Sequence, residues 1–256
     1  VKPKSDNLKI LYFDIETTPL VAYSWGPKWK TNLLDFVEPV RILSFSAKWD
    51  GGKHITKGWP HYKGYKPNKL DDKAIVKAIW DLFDEADIII AHNGIDFDIR
   101  IVNARFTYHG LTPPSQYKVL DTKNEAKKYL RLASYTLDDI CGYFGFGKKL
   151  PHEGFSLWLR CMAGDKAAWK TMLEYNSHDV GLLEQVYKKV RPFIKQHPHI
   201  LPDKPQCCPR CGSDKLQWRG VYRNLTTSYR RFVCTNCGGW GRDHKNVQKP
   251  KPLVGT

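Results

Sequence analysis

The chain has 256 residues, 41% of them hydrophobic and 26% charged, which is long and apolar enough for one or two domains and excludes wholesale disorder. Its formal charge of +15 points to a polyanionic partner, because basic surface attracts phosphates and releases their counterions. No run approaches the roughly 18–20 apolar residues of a membrane-spanning helix. The opening Val-Lys-Pro-Lys-Ser-Asp lacks the apolar stretch of a signal peptide, so a cytoplasmic protein with no membrane partner is expected.

Residues 8–16 read as a strand, and 41–49 alternate well enough for a second. Gly51-Gly52 turns the chain into a third strand at 54–59. The stretch 21–39, with Trp25 and Trp29, has no clear period and is assigned to no element. Residues 71–86 carry Ile75, Ile79, Leu82 and Phe83 at helical spacing, with acidic residues in the first turn. Residues 88–91 form a short, wholly apolar strand, as central strands tend to. A helix at 99–108 is stopped by Gly110 and Pro113-Pro114, and 119–122 read as the next strand. Two helices follow, at 137–144 and 165–190. Trp169, Met172, Leu173, Val180, Leu183, Val186 and Tyr187 give the second a buried stripe. Pro192, Pro198, Pro202 and Pro205 mark a linker. The expected division is a domain at 1–197 and a linker with a smaller module at 198–256.

Four acidic positions in the first domain are candidates for one metal site. Asp14 and Glu16 lie two apart in a β-prone run, so both point to one side of a strand while Phe13 and Ile15 point into a core. Asp98 follows the apolar run 87–91 where strand crosses to helix. Asp179 lies in a helical stretch, with Tyr175 four residues earlier on the same face. Clustered carboxylates repel one another unless cations sit among them, and hard oxygen ligands suit Mg²⁺ or Mn²⁺. A pair of such ions is a standard device for cutting phosphodiesters.

In these segments the chain resembles the DEDD 3′→5′ exonuclease superfamily. The three motifs match as Asp14-x-Glu16, Asn93-x-x-x-Phe97-Asp98 and Tyr175-x-x-x-Asp179. The last spacing is that of the tyrosine branch, which includes proofreading domains of family B DNA polymerases. A histidine-branch protein would carry His where this chain has Glu174; His178 has the wrong spacing. The resemblance spans residues 8–195 and implies an α/β fold, with a ribonuclease-H-like mixed central sheet flanked by helices. It also implies roles. Asp14, Glu16 and Asp179 would hold the ion that binds the attacking water. Asp14 would share the second ion with Asp98, and Tyr175 would orient the water. Thr17 and Asn93 are candidates for aligning the terminal nucleotide. Single-stranded nucleic acid with a 3′ end is the implied substrate, DNA ahead of RNA, in a bacterial or virus-infected cell. A structure-specific endonuclease on the same fold, or a binding adaptor with an idle site, are the alternatives.

Other polar residues read as structural. Asp121 is expected to order a loop, and Asp138 and Asp139 to sit in a first helical turn. His92 and His152 read as hydrogen-bonded structural histidines, and Cys141 and Cys161 as small buried residues.

In the C-terminal module, Cys208-Pro-Arg-Cys211-Gly and Cys234-Thr-Asn-Cys237-Gly are paired C-x-x-C knuckles. Four such thiolates make a closed tetrahedral site that fits structural Zn²⁺; Cys207 is the weaker alternative to Cys208, and an Fe–S or redox role the alternative chemistry. The pattern resembles a zinc ribbon with strands between the knuckles. Trp218, Tyr222, Tyr229, Phe232 and Trp240 interleave with Arg219, Arg223, Arg230, Arg231 and Arg242. Rings stack on unpaired bases and guanidinium groups grip phosphates, so Arg219, Arg223, Arg230 and Arg231 are candidate substrate-binding residues. Some of these aromatics must also form the module's small core. A ribbon can equally hold a protein partner, here one of replication or repair.

Overall fold

The computed structural model describes residues 8–26, 32–67, 71–201 and 204–247. Trp29 and Pro202 lie outside them. The first expected strand is β1 (Ile10–Thr17), and its alternation organises the larger part of the molecule. Leu11, Phe13 and Ile15 enter the main hydrophobic core, where Phe13 meets the edge of Phe83 at 4.8 Å between ring centres. Asp14 and Glu16 therefore point to the opposite side.

The unassigned stretch is a hairpin of β2 (Val21–Ser24) and β3 (Leu33–Glu38). Neither of its faces is covered: Tyr23, Trp25, Leu33 and Phe36 are all exposed. With no buried face there is no in–out alternation to read, which is why its sequence looks aperiodic. Strand β4 (Ile42–Trp49) then pairs antiparallel with β1, setting Ser46 opposite Asp14 and Ser44 opposite Glu16. Strand β5 (His54–Gly58) pairs with β4.

Helix α1 (Lys73–Glu85) lacks the expected acidic first turn, because Asp71 and Asp72 precede it. Asp72 is instead buried under Arg105 at 2.6 and 2.8 Å, His109 at 2.7 Å and the backbone N–H of Ile42 at 3.0 Å. A carboxylate with four such donors pins the start of α1 to the sheet rather than serving a helix dipole. Strand β6 (Ile88–Ala91) and β7 (Lys118–Asp121) run parallel to β1, with α2 (Asp98–Tyr108) crossing between them. The five-stranded sheet has the order β5-β4-β1-β6-β7, antiparallel on one side of β1 and parallel on the other. It is a mixed α/β sheet flanked by helices, as expected.

Two short helices were not expected. In α3 (Thr122–Tyr129) only Thr122 and Ala126 are buried, so no apolar stripe marks it. Helix α5 (Phe155–Met162) buries only Leu157 and Cys161 and leaves the apolar Phe155 and Leu159 exposed, so no stripe marks it either. Between them lies α4 (Leu137–Phe144), with Asp138 and Asp139 in its first turn. Helix α6 (Lys166–Val190) buries Trp169, Met172, Val180, Leu183, Val186 and Tyr187 as its pattern indicates, while Leu173 is only partly buried.

The chain divides into two compact units, one of residues 9–186 and one that takes up the chain from Tyr187. The second contains an antiparallel sheet of β8 (Leu216–Arg223), β9 (Ser228–Cys234) and β10 (Trp240–Asn246), with β9 central. Among the described residues no helix is long and apolar enough to cross a membrane.

Candidate nuclease and metal sites

Three elements deliver the four expected carboxylates. Strand β1 presents Asp14 and Glu16, and α6 presents Asp179 one turn after Tyr175. One carboxylate oxygen from each of Asp14, Glu16 and Asp179 lies within 4.8 Å of the other two. Asp98, the first residue of α2, is 2% exposed and receives the backbone N–H of Ile15 at 3.1 Å. That bond ties it to the strand between Asp14 and Glu16, and its charge acts on both. It completes the acidic group without joining the tightest set.

The turn before Asp98 needs special residues. Asn93 adopts φ 64°, a left-handed conformation that Asn tolerates better than most residues. A Cβ on Gly94 would run into Ala91, so glycine lets the turn fold flat onto the strand end. Asp121 holds this turn from β7, as its sequence setting suggests. Its carboxylate accepts the backbone N–H groups of Asn93, Ile95, Lys123 and Asn124 at 2.9–3.2 Å. Asn93 Oδ1 takes the Lys123 ammonium at 3.0 Å. Thr17 ends β1 where the β1–β4 register shifts, next to Glu16.

Three partners escaped the sequence reading. Lys149, on the loop between α4 and α5, donates to Asp179 Oδ2 at 2.6 Å and to the Tyr175 hydroxyl at 2.9 Å. Asn176 donates to Asp14 Oδ2 at 2.6 Å and accepts from Ser44 at 3.3 Å. Trp158 on α5 lies near enough to Glu16 to favour its charged form. A lysine in a polar loop carries no periodic signal. Asn176 had one available, since it lies next to Tyr175 and three residues before Asp179.

The electrostatics are those of a site short of positive charge. Burial, then repulsion from Asp98, Glu16 and Asp179, holds the Asp14 carboxyl well above its ordinary range. Burial, reinforced by the charge of Asp179, pushes Glu16 up to about 8. Burial carries Asp98 to about 7 and raises Asp179 despite the contact with Lys149. One ammonium does not offset four carboxylates. Burial also pushes the Tyr175 phenol up to about 12, so it stays protonated at neutral pH and can donate.

The remaining candidates fall outside this group. His178 gives its Nε2 to the Lys148 carbonyl at 3.0 Å. The His152 ring lies against the edges of Trp158 and Tyr175, and its Nδ1 accepts the Gly154 N–H at 3.1 Å. Cys141 and Cys161 are buried, and burial raises their thiols to about 11 and 12, too high for a nucleophile at neutral pH.

His92 is bonded by Thr122 Oγ1 at 2.8 Å and the Tyr135 carbonyl at 3.0 Å, and burial lowers it to about 4. The unfolded chain therefore binds this proton more readily than the folded one between pH 6.5 and 4. Stability from neutral His92 is complete above about 6.5 and is lost as pH falls through 4, by up to about 3 kcal/mol. A His92→Gln variant is expected to show a shallower decline in Tm than the parent across that window. Parallel declines would remove His92 as the cause.

In the second unit, the Sγ atoms of Cys208, Cys211, Cys234 and Cys237 lie within 4.8 Å of one another. The pairs Cys208–Cys237 and Cys211–Cys234 are 3.7 and 3.6 Å apart. Tetrahedral Zn²⁺ with bonds of about 2.3 Å sets sulfurs about 3.8 Å apart, so the cluster fits the ion. Gly212 and Gly238 follow the knuckles with φ near +71° and +77°. Cys207 turns away, toward the carbonyls of Leu201 and Lys204.

Comparison with known proteins agrees with the fold. A family model described as the RNase H superfamily matches residues 41–191. The chain belongs to that superfamily. The matched span takes in Asp98, Tyr175 and Asp179 and begins after β1. The chain is also 25% identical over 244 residues to a DNA polymerase of Methanocaldococcus jannaschii, covering 79% of this chain and 14% of the polymerase. It is 26% identical over 148 residues to a PolC-type DNA polymerase III of Ureaplasma parvum, covering 53% of this chain and 10% of that protein. The chain thus spans about a seventh or less of the curated relatives it matches. The fold is similar to that of the family B DNA polymerase of Pyrobaculum calidifontis, with TM-score 0.51 and 19% identity, over 73% of this chain and 25% of that one. Superfamily membership, with a partly buried acidic cluster at the sheet, supports a nuclease that uses divalent metal.

Proposed function

We propose that the chain is a 3′→5′ exonuclease of the DEDD tyrosine branch, acting on single-stranded nucleic acid with DNA favoured over RNA. One observation carries the reading: Asp14, Glu16 and Asp179 bring oxygens within 4.8 Å of one another, with Asp98 behind them and the Tyr175 hydroxyl, through Lys149, beside them.

The residues fit a pair of Mg²⁺ or Mn²⁺ ions. Every donor is a carboxylate oxygen, the ligand type these ions prefer. Asp179 Oδ1 is buried with no hydrogen-bond partner, a costly state that a cation would relieve. Asp14, Glu16 and Asp179 would hold one ion, and Asp14 with Asp98 the other. Such ions supply an activated water and stabilise charge on the leaving 3′-oxygen. The protein's own groups do the rest. Tyr175, protonated and fixed by Lys149, positions the attacking water by donating a hydrogen bond. Lys149 adds a fixed positive charge where the phosphate must lie. Asn93, in the turn before Asp98, and Thr17, next to Glu16 at the end of β1, align the terminal nucleotide. In the second unit the four cysteines hold a structural Zn²⁺.

The test is hydrolysis of a 3′-end-labelled single strand with Mg²⁺ or Mn²⁺. Labelled mononucleotide is expected first, and DNA is expected to be consumed faster than RNA. Longer labelled fragments would establish an endonuclease instead. No release with either ion would leave a binding adaptor.

A further inference from the structure

The small sheet of β8, β9 and β10 has two unlike faces. Cross-strand partners share a face, so the pairs Trp218–Phe232, Phe232–Gly241 and Arg223–Ser228 define the inner one. Phe232, Ser228 and Cys234 are buried there, and Trp218 packs its ring against Phe232 at 5.5 Å. The pairs Tyr222–Tyr229, Arg231–Arg242 and Val233–Trp240 define the outer face.

That outer face is a ladder of rings and guanidinium groups. Arg231 lies over Trp240, 5.2 Å from the ring centre. Arg242 lies 3.9 Å over Tyr229 and 5.7 Å from Tyr222. Trp240 is 46% and Tyr222 47% exposed. Arg231 is braced by its Nε bond to the Arg219 carbonyl at 2.7 Å, and among the described residues neither Arg231 nor Arg242 has a carboxylate partner. The arginines stack on rings instead. Beyond the Arg231 Nε bond and an Arg242 Nη1 bond to the Asp243 carbonyl at 3.2 Å, their remaining in-plane N–H groups are left for other acceptors.

We infer that this outer face is the platform for unpaired nucleic acid, with Trp240 and Tyr222 stacking on bases while Arg231 and Arg242 take the backbone phosphates. Charge selects a polyanion: residues 204–247 hold nine Lys and Arg against two Asp. Half-exposed rings select single strands, because the faces of paired bases already stack on their neighbours and are closed to a side chain. The candidates of the sequence reading are thereby divided. Arg231 belongs to the platform and Arg242 joins it. Arg223 and Arg230 lie on the other face, where Arg230 covers Trp218 at 4.4 Å. Arg219 acts through its carbonyl.

The inference deepens the exonuclease reading and rests on it only for the choice of substrate, so the test uses binding without hydrolysis. The full chain carrying Asp14→Asn is titrated with fluorescent oligothymidylate and with a blunt duplex, without Mg²⁺ or Mn²⁺ but with zinc stoichiometry verified in each variant. Adding Trp240→Ala is expected to weaken single-strand binding about tenfold, within the range for one lost base stack, with no change in salt dependence. Tyr222→Ala is the second stacking variant. Arg242→Ala should also weaken binding about tenfold, whereas Arg223→Ala, which removes the same charge from the inner face, should cost no more than about threefold. The duplex is expected to bind more weakly and to ignore Trp240→Ala. Equal losses for Arg223→Ala and Arg242→Ala, or parent-like binding when both Trp240 and Tyr222 are replaced, would overturn the platform. Failure of the exonuclease reading appears separately, as absent hydrolysis by the unmutated chain.

Discussion

Asp14→Asn is expected to lower hydrolysis on the order of 10³-fold or more while leaving the fold intact, which corresponds to about 4 kcal/mol or more of lost transition-state stabilisation. Asn keeps the size of the side chain, and its oxygen can still accept from Asn176, now 2.6 Å from Asp14 Oδ2. What disappears is the charge that both ions of the proposed site would share. Burial and three neighbouring carboxylates already work against that charge, so its removal should not lower Tm in chelator and should raise it slightly. The parent should gain Tm on adding Mg²⁺ or Mn²⁺, because a ligand bound only by the folded chain stabilises it. The variant should gain much less. A full-rate variant, or one whose ion-dependent Tm gain matches the parent's, would reject the site. Asp121 is the useful contrast. All its bonds are to backbone N–H groups, so its loss should cost stability first.

The carboxylates were legible because each stands in a local pattern that fixes its direction. Alternation in β1 separates Asp14 and Glu16 from Phe13 and Ile15, and four-residue spacing in α6 aligns Tyr175 with Asp179. The knuckle cysteines carry their geometry in their spacing alone. Lys149 and Trp158 were not legible, since one sits on a loop and the other on a helix without a clear apolar stripe, and their roles exist only through tertiary contact. The β2–β3 hairpin was unreadable for a related reason: both faces are exposed, so burial imposes no period. Asp72 was misjudged because acidic residues at a helix start ordinarily belong to its first turn and complement its dipole. Here Arg105 and His109, more than 30 residues later, claim it instead. The arginines of the small sheet were visible as a composition. Only the strand register separates the face that holds Arg231 and Arg242 from the one that holds Arg223 and Arg230.

Cys234→Ser is expected to abolish zinc binding and unfold the three-stranded sheet while the five-stranded one survives. Among the described residues of β8, β9 and β10, Phe232 is the one large apolar side chain that is buried. Burying it contributes about 1.5–3 kcal/mol, far below the cost of ordering three strands at roughly 1–2 kcal/mol per residue. A structural zinc site adds about 10–16 kcal/mol at neutral pH, so the proposed ion would decide whether this sheet forms. The protein prepares its thiolates to receive it. Cys234 is held below its ordinary pKa: burial opposes this, but the backbone N–H groups of Cys237 and Asn236 outweigh it. Cys208 and Cys237 are raised by burial in the absence of the ion, and binding must drive off their protons. Zinc content should fall from one per chain to none, and amide protection should vanish in β8–β10 and persist in β1, β4 and β6. Cleavage of a short single strand should continue, since every carboxylate of the proposed site lies within residues 9–186, while affinity for long single strands drops. Protected amides in β9 without zinc, or iron found in its place, would show that another force holds these strands together.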